Sequence, residues 1–224
     1  MADRNEMRVK KRNGELVTMA FDKILQRIKK VGTEVNIQVN YSALTMKVID
    51  QLFDGIETSK IDELMGQQCV SLSTVHFDYS NLASRIVISN HQKNTSSSFY
   101  VVMNQLYHFY DIHGNHKPLI SIEIWTFIDK YKSQLEQMID YTRDYLIDYF
   151  GFKTLERAYL FRINNSIVER IQHMWLRVAI GIHFNESSTE TGLNYMKETY
   201  DLYDRLKLIK ETYDLMSQKY YTHA

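Results

Sequence analysis

Pro118 is the only proline among 224 residues, and only eight glycines accompany it. These two residues stop helices more often than any others, proline by removing a backbone donor and glycine by its conformational freedom. A chain with so few of them, and with 16 tyrosines and ten methionines, is expected to be mainly α. The length gives one large domain or two modest ones. Basic and acidic residues balance at 27 each, so no general affinity for nucleic acid or for a membrane is implied, and any anion site must be local. No apolar run approaches the length of a membrane span, and the start lacks the apolar stretch of a secretion signal. Cys69, the lone cysteine, excludes an intramolecular disulfide and any Cys-x-x-Cys motif, and suits a reducing compartment. The expected location is cytoplasmic.

The departure from helix comes early. Asn13-Gly14 separates two short β-prone runs, 8–12 and 15–20, which predicts a hairpin. Lys10, Lys11 and Arg12 lie on its first arm. Asp22 is the expected N-cap of the next helix, with Ile24, Leu25, Ile28 and Val31 at helical spacing and Gly32 at its end, and Lys23 follows the cap directly. A cationic ribbon leading into a helix N-terminus is an anion site in outline, because free N–H groups and the helix dipole both favour negative charge. The plainer alternative is a solvated edge hairpin whose lysines discourage strand pairing.

Further along, Val35–Val39 alternates as a short strand or an extended connection. A second helix starts at Asn40 or Ser42, buries Leu44, Val48, Leu52 and Phe53, and closes at Gly55. Thr58 and Ser59 mark a third helix running to about Val75, with Ser59 to Asp62 as a capping box. Asp78 caps a fourth, ending near Asn94, and Thr95–Ser98 is the linker candidate. Beyond it the pattern predicts helices over 99–108, 121–131, 133–141, 155–163, 167–183 and about 190–221, with an aromatic patch at Tyr145, Tyr149, Phe150 and Phe152. His113 and His116 have no third ligand at fitting spacing, so a solvated loop is expected and no metal site. Lys197–Leu202 recurs as Lys210–Leu215, a short tandem duplication.

Lys11-Arg12-Asn13-Gly14, Phe21-Asp22-Lys23-Ile24, Gly55-Ile56-Glu57-Thr58 and Tyr79–Ile86, in that order, resemble the ATP-cone, the nucleotide-binding regulatory domain of many ribonucleotide reductase large subunits. Asp148–Arg157, Gln172-His173-Met174 with Arg177, Gly181-Ile182-His183 and the closing Tyr221–Ala224 resemble the start of the class I large subunit. The resemblance implies a small β-sheet cap over a four-helix bundle in residues 1–94, and an all-helical reductase segment in 95–224. It implies ATP or dATP, with Mg, as an allosteric effector. Lys11, Arg12, Lys23 and Lys93 would meet the phosphates with Thr58, Asp62 would lie near the sugar, and Asp22 would bear on discrimination between ATP and dATP. Val17 and Phe21 complete the implied site. Val17 stands where the family usually carries Glu, and Glu15, on the same strand face, is the candidate substitute. Ile171 stands where relatives usually have proline. The implied partners are adenine nucleotides, the remainder of the large subunit, other large-subunit copies and the small radical-generating subunit. The family's substrate loop, redox and radical cysteines and radical-transfer tyrosines would follow Ala224, so this chain alone is expected to be inactive. The alternative is a non-catalytic helical assembly module with a vestigial cone, one part of a split or truncated subunit.

Overall fold

In the computed structural model the residues described are 6–184 and 194–221, the side chains of 194–201 excepted. The chain divides into two units: the residues up to Asn94 together with Ile147–Thr154, and Thr95–Leu146 with the residues from Leu155 on.

The first unit opens with strands β1 (Arg8–Lys10) and β2 (Leu16–Thr18), paired antiparallel with Val9 opposite Val17. Helices α1 (Asp22–Thr33) and α2 (Tyr41–Ile49) follow. Strand β3 (Ile56–Glu57) then pairs parallel to β1, giving the order β2-β1-β3. Helices α3 (Thr58–Ser71) and α4 (Phe77–Asn94) complete a mainly helical unit with a small sheet. Val9, Ile24, Ile28, Leu44, Val48, Ile56, Met65, Leu82 and Ile86 are all buried. Cys69 is fully buried, and burial pushes its thiol up to about 12, which suits a packing residue rather than a nucleophile.

Several local expectations give way to tertiary contacts. Phe21, not Asp22, is the N-cap of α1 and makes no side-chain cap bond, while the Asp22 carboxylate accepts from Gln26 Nε2 at 3.2 Å. Gly32 is the penultimate residue of α1, at a position where a Cβ would strike the Tyr41 ring. Val35–Val39 is a connection, with Asn36 at a φ of 57°. Asn40 does cap α2, accepting from Ala43 N at 2.9 Å, but α2 stops at Ile49 and leaves Phe53 61% exposed. The third helix ends at Ser71 and has no capping box, since arginines take up Asp62. The Asp78 carboxylate accepts from Gln38 N at 3.1 Å. Phe152 is buried and its ring meets His91 at 5.2 Å, whereas Phe150 is exposed.

The second unit contains α5 (Phe99–Tyr107), α6 (Ile122–Lys130), α7 (Lys132–Gln137) and a 3-10 turn at Tyr141–Leu146. Helix α8 (Tyr149–Ala158) precedes a hairpin, β4 (Arg162–Ile163) with β5 (Ser166–Ile167), then α9 (Ile171–His183) and α10 (Asn194–Ser217). Helix over 155–163 and a helix start at 167 are therefore corrected. Asn164 and Asn165 take φ of 48° and 65°, the geometry of a two-residue hairpin turn. Phe99, Met103, Leu106, Ile128, Leu176, Ile180, Ile209 and Tyr213 build the core. Glu169 is fully buried, with Arg177 Nε and NH2 at 2.7 and 3.1 Å from its two oxygens. Fully buried Gln172 donates to Asp144 at 3.0 Å and accepts from the Tyr213 hydroxyl at 2.8 Å. The first copy of the duplication falls largely on side chains outside the described residues, as do Thr222–Ala224.

Two substitutions check this packing by urea unfolding. Gly66→Ala places a Cβ 2.6 Å from Val87 Cγ1, so it destabilises by about 1 kcal/mol despite the better helix propensity of alanine. Glu169→Ala leaves the Arg177 charge without its carboxylate and costs about 3 kcal/mol.

Candidate functional site

The loop between β1 and β2 is longer than an isolated Asn-Gly turn. Lys11 N donates to Glu15 O at 2.8 Å and Gly14 N to Lys11 O at 2.9 Å, while Gly14 alone of the loop adopts positive φ, at 86°. This is a three-residue loop, Arg12-Asn13-Gly14, closed by a left-handed glycine. It carries Arg12 to the helices. Arg12 Nε lies 2.7 Å from Asn94 Oδ1, and its NH2 lies 2.5 Å from Asn90 Oδ1 and 3.2 Å from Asp62 Oδ2. Asp62 is 4% exposed and takes a second cation, Arg27, whose Nε is 3.2 Å from Oδ1. Arg27 also donates to Ser89 Oγ at 3.0 Å. One carboxylate thus gathers the hairpin loop, α1 and α3, and the two guanidinium groups extend the link to α4.

Two adjoining cavities lie around this cluster. The larger, about 590 Å³, is lined by polar groups that include Lys10, Lys11, Arg12, Thr58, Ser59 and Lys93. The smaller, about 210 Å³, has walls of Val9, Val17, Met19, Ile24, Ile61 and Met65. Lys11, Arg12, Thr58 and Lys93 line both. The parallel pairing of β3 with β1 sets the start of α3 beside the loop, and its N-cap, Glu57, makes no side-chain cap bond. Thr58 and Ser59, at the N-terminal end of α3 where backbone N–H groups have no intrahelical acceptor, line the larger cavity.

The electrostatics suit an anion. Partial burial lowers the Lys93 pKa below its ordinary 10.5, and Arg27, Arg12 and Lys30 lower it further while Asp62 opposes them. Lys10 and Lys11 are held at 3.0 Å by Glu57 and Glu15, whose carboxyls they keep below the usual range. Glu57 and Asp62 are the carboxylates lining these cavities, and each already faces a cation.

Of the residues the sequence singled out, Lys11, Arg12, Val17, Lys23, Thr58, Asp62 and Lys93 line the smaller cavity. Phe21 and Asp22 line neither cavity, and Phe21 is 40% exposed. Glu15, the candidate substitute for Val17, ends the turn, pairs with Lys11 and lies outside both linings. Sequence reasoning missed Arg27, Asn90 and Asn94. The spacing of Arg27 from Lys23, one helical turn, was the available signal for the first.

A small three-stranded sheet with helices α1–α4, bearing a cationic cavity beside one of mixed lining, is an arrangement of the ATP-cone class of fold. The ATP cone domain model matches residues 7–94, and the ribonucleotide reductase all-alpha domain model matches 145–224. Over 218 residues the chain is 44% identical to the ribonucleoside-diphosphate reductase large subunit of Plasmodium falciparum (isolate Dd2), covering 97% of this chain and 25% of that one. The corresponding subunit of Caenorhabditis elegans is 41% identical, over 98% of this chain and 26% of its own. That of Vaccinia virus (strain Copenhagen) is 40% identical, over 97% and 26%. The chain belongs to the ribonucleoside-diphosphate reductase large-subunit family and corresponds to its N-terminal part. It spans about a quarter of the length of the curated relatives it matches.

Replacing Asp62 separates its role from that of Asp22. Asp62→Ala leaves two guanidinium groups without their shared carboxylate and lowers unfolding stability by about 2 kcal/mol. Asp22→Ala removes only an exposed contact and stays within about 0.5 kcal/mol of the parent.

Proposed function

We propose that this chain binds ATP and dATP at the two cavities and acts as the effector-sensing part of a ribonucleoside-diphosphate reductase large subunit. One observation carries the reading: a basin lined by Lys11, Arg12, Lys93 and the start of α3 adjoins a slot that shares those cations and adds the apolar walls of Val9, Val17, Met19, Ile24, Ile61 and Met65. The basin suits a triphosphate through charge-assisted hydrogen bonds and helix N–H groups. The slot suits the base. Arg12 would either give up one of its present acceptors to a phosphate or hold the loop over it. Residues 1–94 would be the sensing domain and 95–224 the leading helical part of the reductase. Magnesium would arrive on the phosphates, since the two lining carboxylates are already paired with cations. In a complete enzyme ATP and dATP would favour different assemblies of the large subunit, which requires each to bind those assemblies with different affinity. The small radical-generating subunit, a cytoplasmic setting and the inactivity of this chain by itself belong to the same reading.

A second reading, an assembly module with a vestigial cone, draws on two observations. Val17 offers no side-chain acceptor to an adenine amino group, and Arg12 is already engaged by three acceptors.

Ligand linkage separates the two. Millimolar ATP or dATP raises the melting temperature of the chain, by the equivalent of about 2.7 kcal/mol at a hundred times Kd, and the absence of any shift sinks the sensor reading. Saturable dATP binding is lost in Lys11→Ala and in Lys93→Ala.

The pH dependence has a defined sign. Free Lys93 titrates below 10.5, and a bound triphosphate raises that value. Binding takes up a proton between the two values, so affinity measured by calorimetry falls as pH rises through that window. Lys93→Arg retains binding without that slope, because arginine stays charged throughout.

A further inference from the structure

This inference rests on the reading that the smaller cavity holds a base. Its side-chain carboxylates cannot read that base. Asp62 is occupied by Arg12 and Arg27, and Glu15 pairs with Lys11 outside the cavity. Val17 presents only methyl groups. The backbone of β2 is a further polar element bordering the cavity.

The ladder fixes where that backbone points. Met19 N donates to Met7 O at 2.8 Å, and Lys11 N to Glu15 O at 2.8 Å. Opposed residues in an antiparallel pair alternate between hydrogen-bonded and non-hydrogen-bonded. With Val9 opposite Val17, that alternation makes Val9 and Val17 a bonded pair, and leaves Arg8 with Thr18, and Lys10 with Leu16, non-bonded. Gly55 N accordingly bonds to Arg8 O at 2.9 Å, on the side of β1 away from β2. The sheet order is β2-β1-β3, so β2 is an edge among the described residues. The N–H and C=O of Thr18 therefore point off that edge. Thr18 lines the smaller cavity although alternation puts its side chain on the opposite sheet face from Val17, so its backbone is what it offers there. Leu16 has the same outward backbone but lines neither cavity.

We propose that the backbone of Thr18 reads the base, its N–H donating to N1 of adenine and its carbonyl accepting from the 6-amino group. The chemistry selects adenine. Guanine and hypoxanthine carry a hydrogen on N1 and an oxygen at C6, which sets donor against donor and acceptor against acceptor. Leaving such groups unpaired on binding is costly, and one lost hydrogen bond amounts to about tenfold in affinity.

Calorimetric titration of the chain with ATP, inosine triphosphate and 1-deaza-ATP tests this, alongside Thr18→Pro and Leu16→Pro. Proline at either position removes an N–H that the ladder does not use, as edge strands tolerate. The parent binds ATP at least tenfold more tightly than either analogue. Thr18→Pro loses about tenfold for ATP and no longer distinguishes it from 1-deaza-ATP, while Leu16→Pro behaves as the parent. The analogue series on the parent needs no variant to fold. Equal binding of all three ligands by the parent overturns this proposal alone, as does a Thr18→Pro protein that still separates ATP from 1-deaza-ATP. Binding of none of the three overturns the nucleotide reading itself, and this proposal with it.

Discussion

A carboxylate that is 4% exposed persists in a folded chain only when cations and donors replace the water it has lost, and at Asp62 two guanidinium groups do so. The consequences spread through the first unit. Arg12 can reach Asp62 only if the β1–β2 loop folds toward α3 and α4, and Arg27 only if α1 packs in register with α3. Ser89, Asn90 and Asn94 accept further arginine donors, so α4 is held by the same cluster. The arrangement is asymmetric in charge. The smaller cavity is lined by five cations, Lys11, Arg12, Lys23, Arg27 and Lys93, against one carboxylate. Asp62 neutralises enough to let the helices close, and the surplus is what an anionic ligand would meet under the proposed function.

The second unit uses buried polar groups to a different end. Arg177 is matched to Glu169 in bidentate fashion, and its guanidinium also lies 4.4 Å from the Phe161 ring centroid. Asp144, Gln172 and Tyr213 form a chain of hydrogen bonds, and burial pushes the Tyr213 phenol up to about 12. Each of these buried groups has a partner, Glu169 in Arg177 and Asp144 in Gln172. Satisfied networks of this kind fix how helices register against one another. The contrast between these paired interior groups and the cationic cavity supports the proposal that a ligand binds at the first unit.

Most of the helices were legible because apolar spacing and the scarcity of proline and glycine point the same way. Element ends were less so, because long-range contacts overrule local signals. Asp22 and Asp78 look like caps in sequence, yet the first accepts from Gln26 and the second from the backbone of Gln38, 40 residues away. The hairpin at Asn164-Asn165 was absorbed into flanking helices. Two consecutive asparagines tolerate positive φ as Asn-Gly does, and strands of two residues leave no alternation to read. At the candidate site, Lys11, Arg12, Lys23 and Thr58, which local motifs carry, all line the smaller cavity. Arg27, Asn90 and Asn94 were missed, because their part depends on a carboxylate distant in sequence.

Val17 shows how this division of labour shapes recognition. On the proposed reading, the cations would act over several ångströms and attract any triphosphate, whatever its base, supplying affinity without choosing among nucleotides. Selectivity would then arise along the apolar walls, where contacts are short and directional. A side chain there can change while the strand that carries it keeps its hydrogen-bonding edge, since Val9 and Val17 hold the ladder and Val17 still packs as a wall of the slot. Replacing a carboxylate by valine at such a position removes one means of reading a base and leaves the surrounding geometry intact. A site of this kind tolerates drift in its side chains as long as the β1–β2 register holds, and that register is fixed by the Lys11–Glu15 closure and the reach of Arg12 to Asp62.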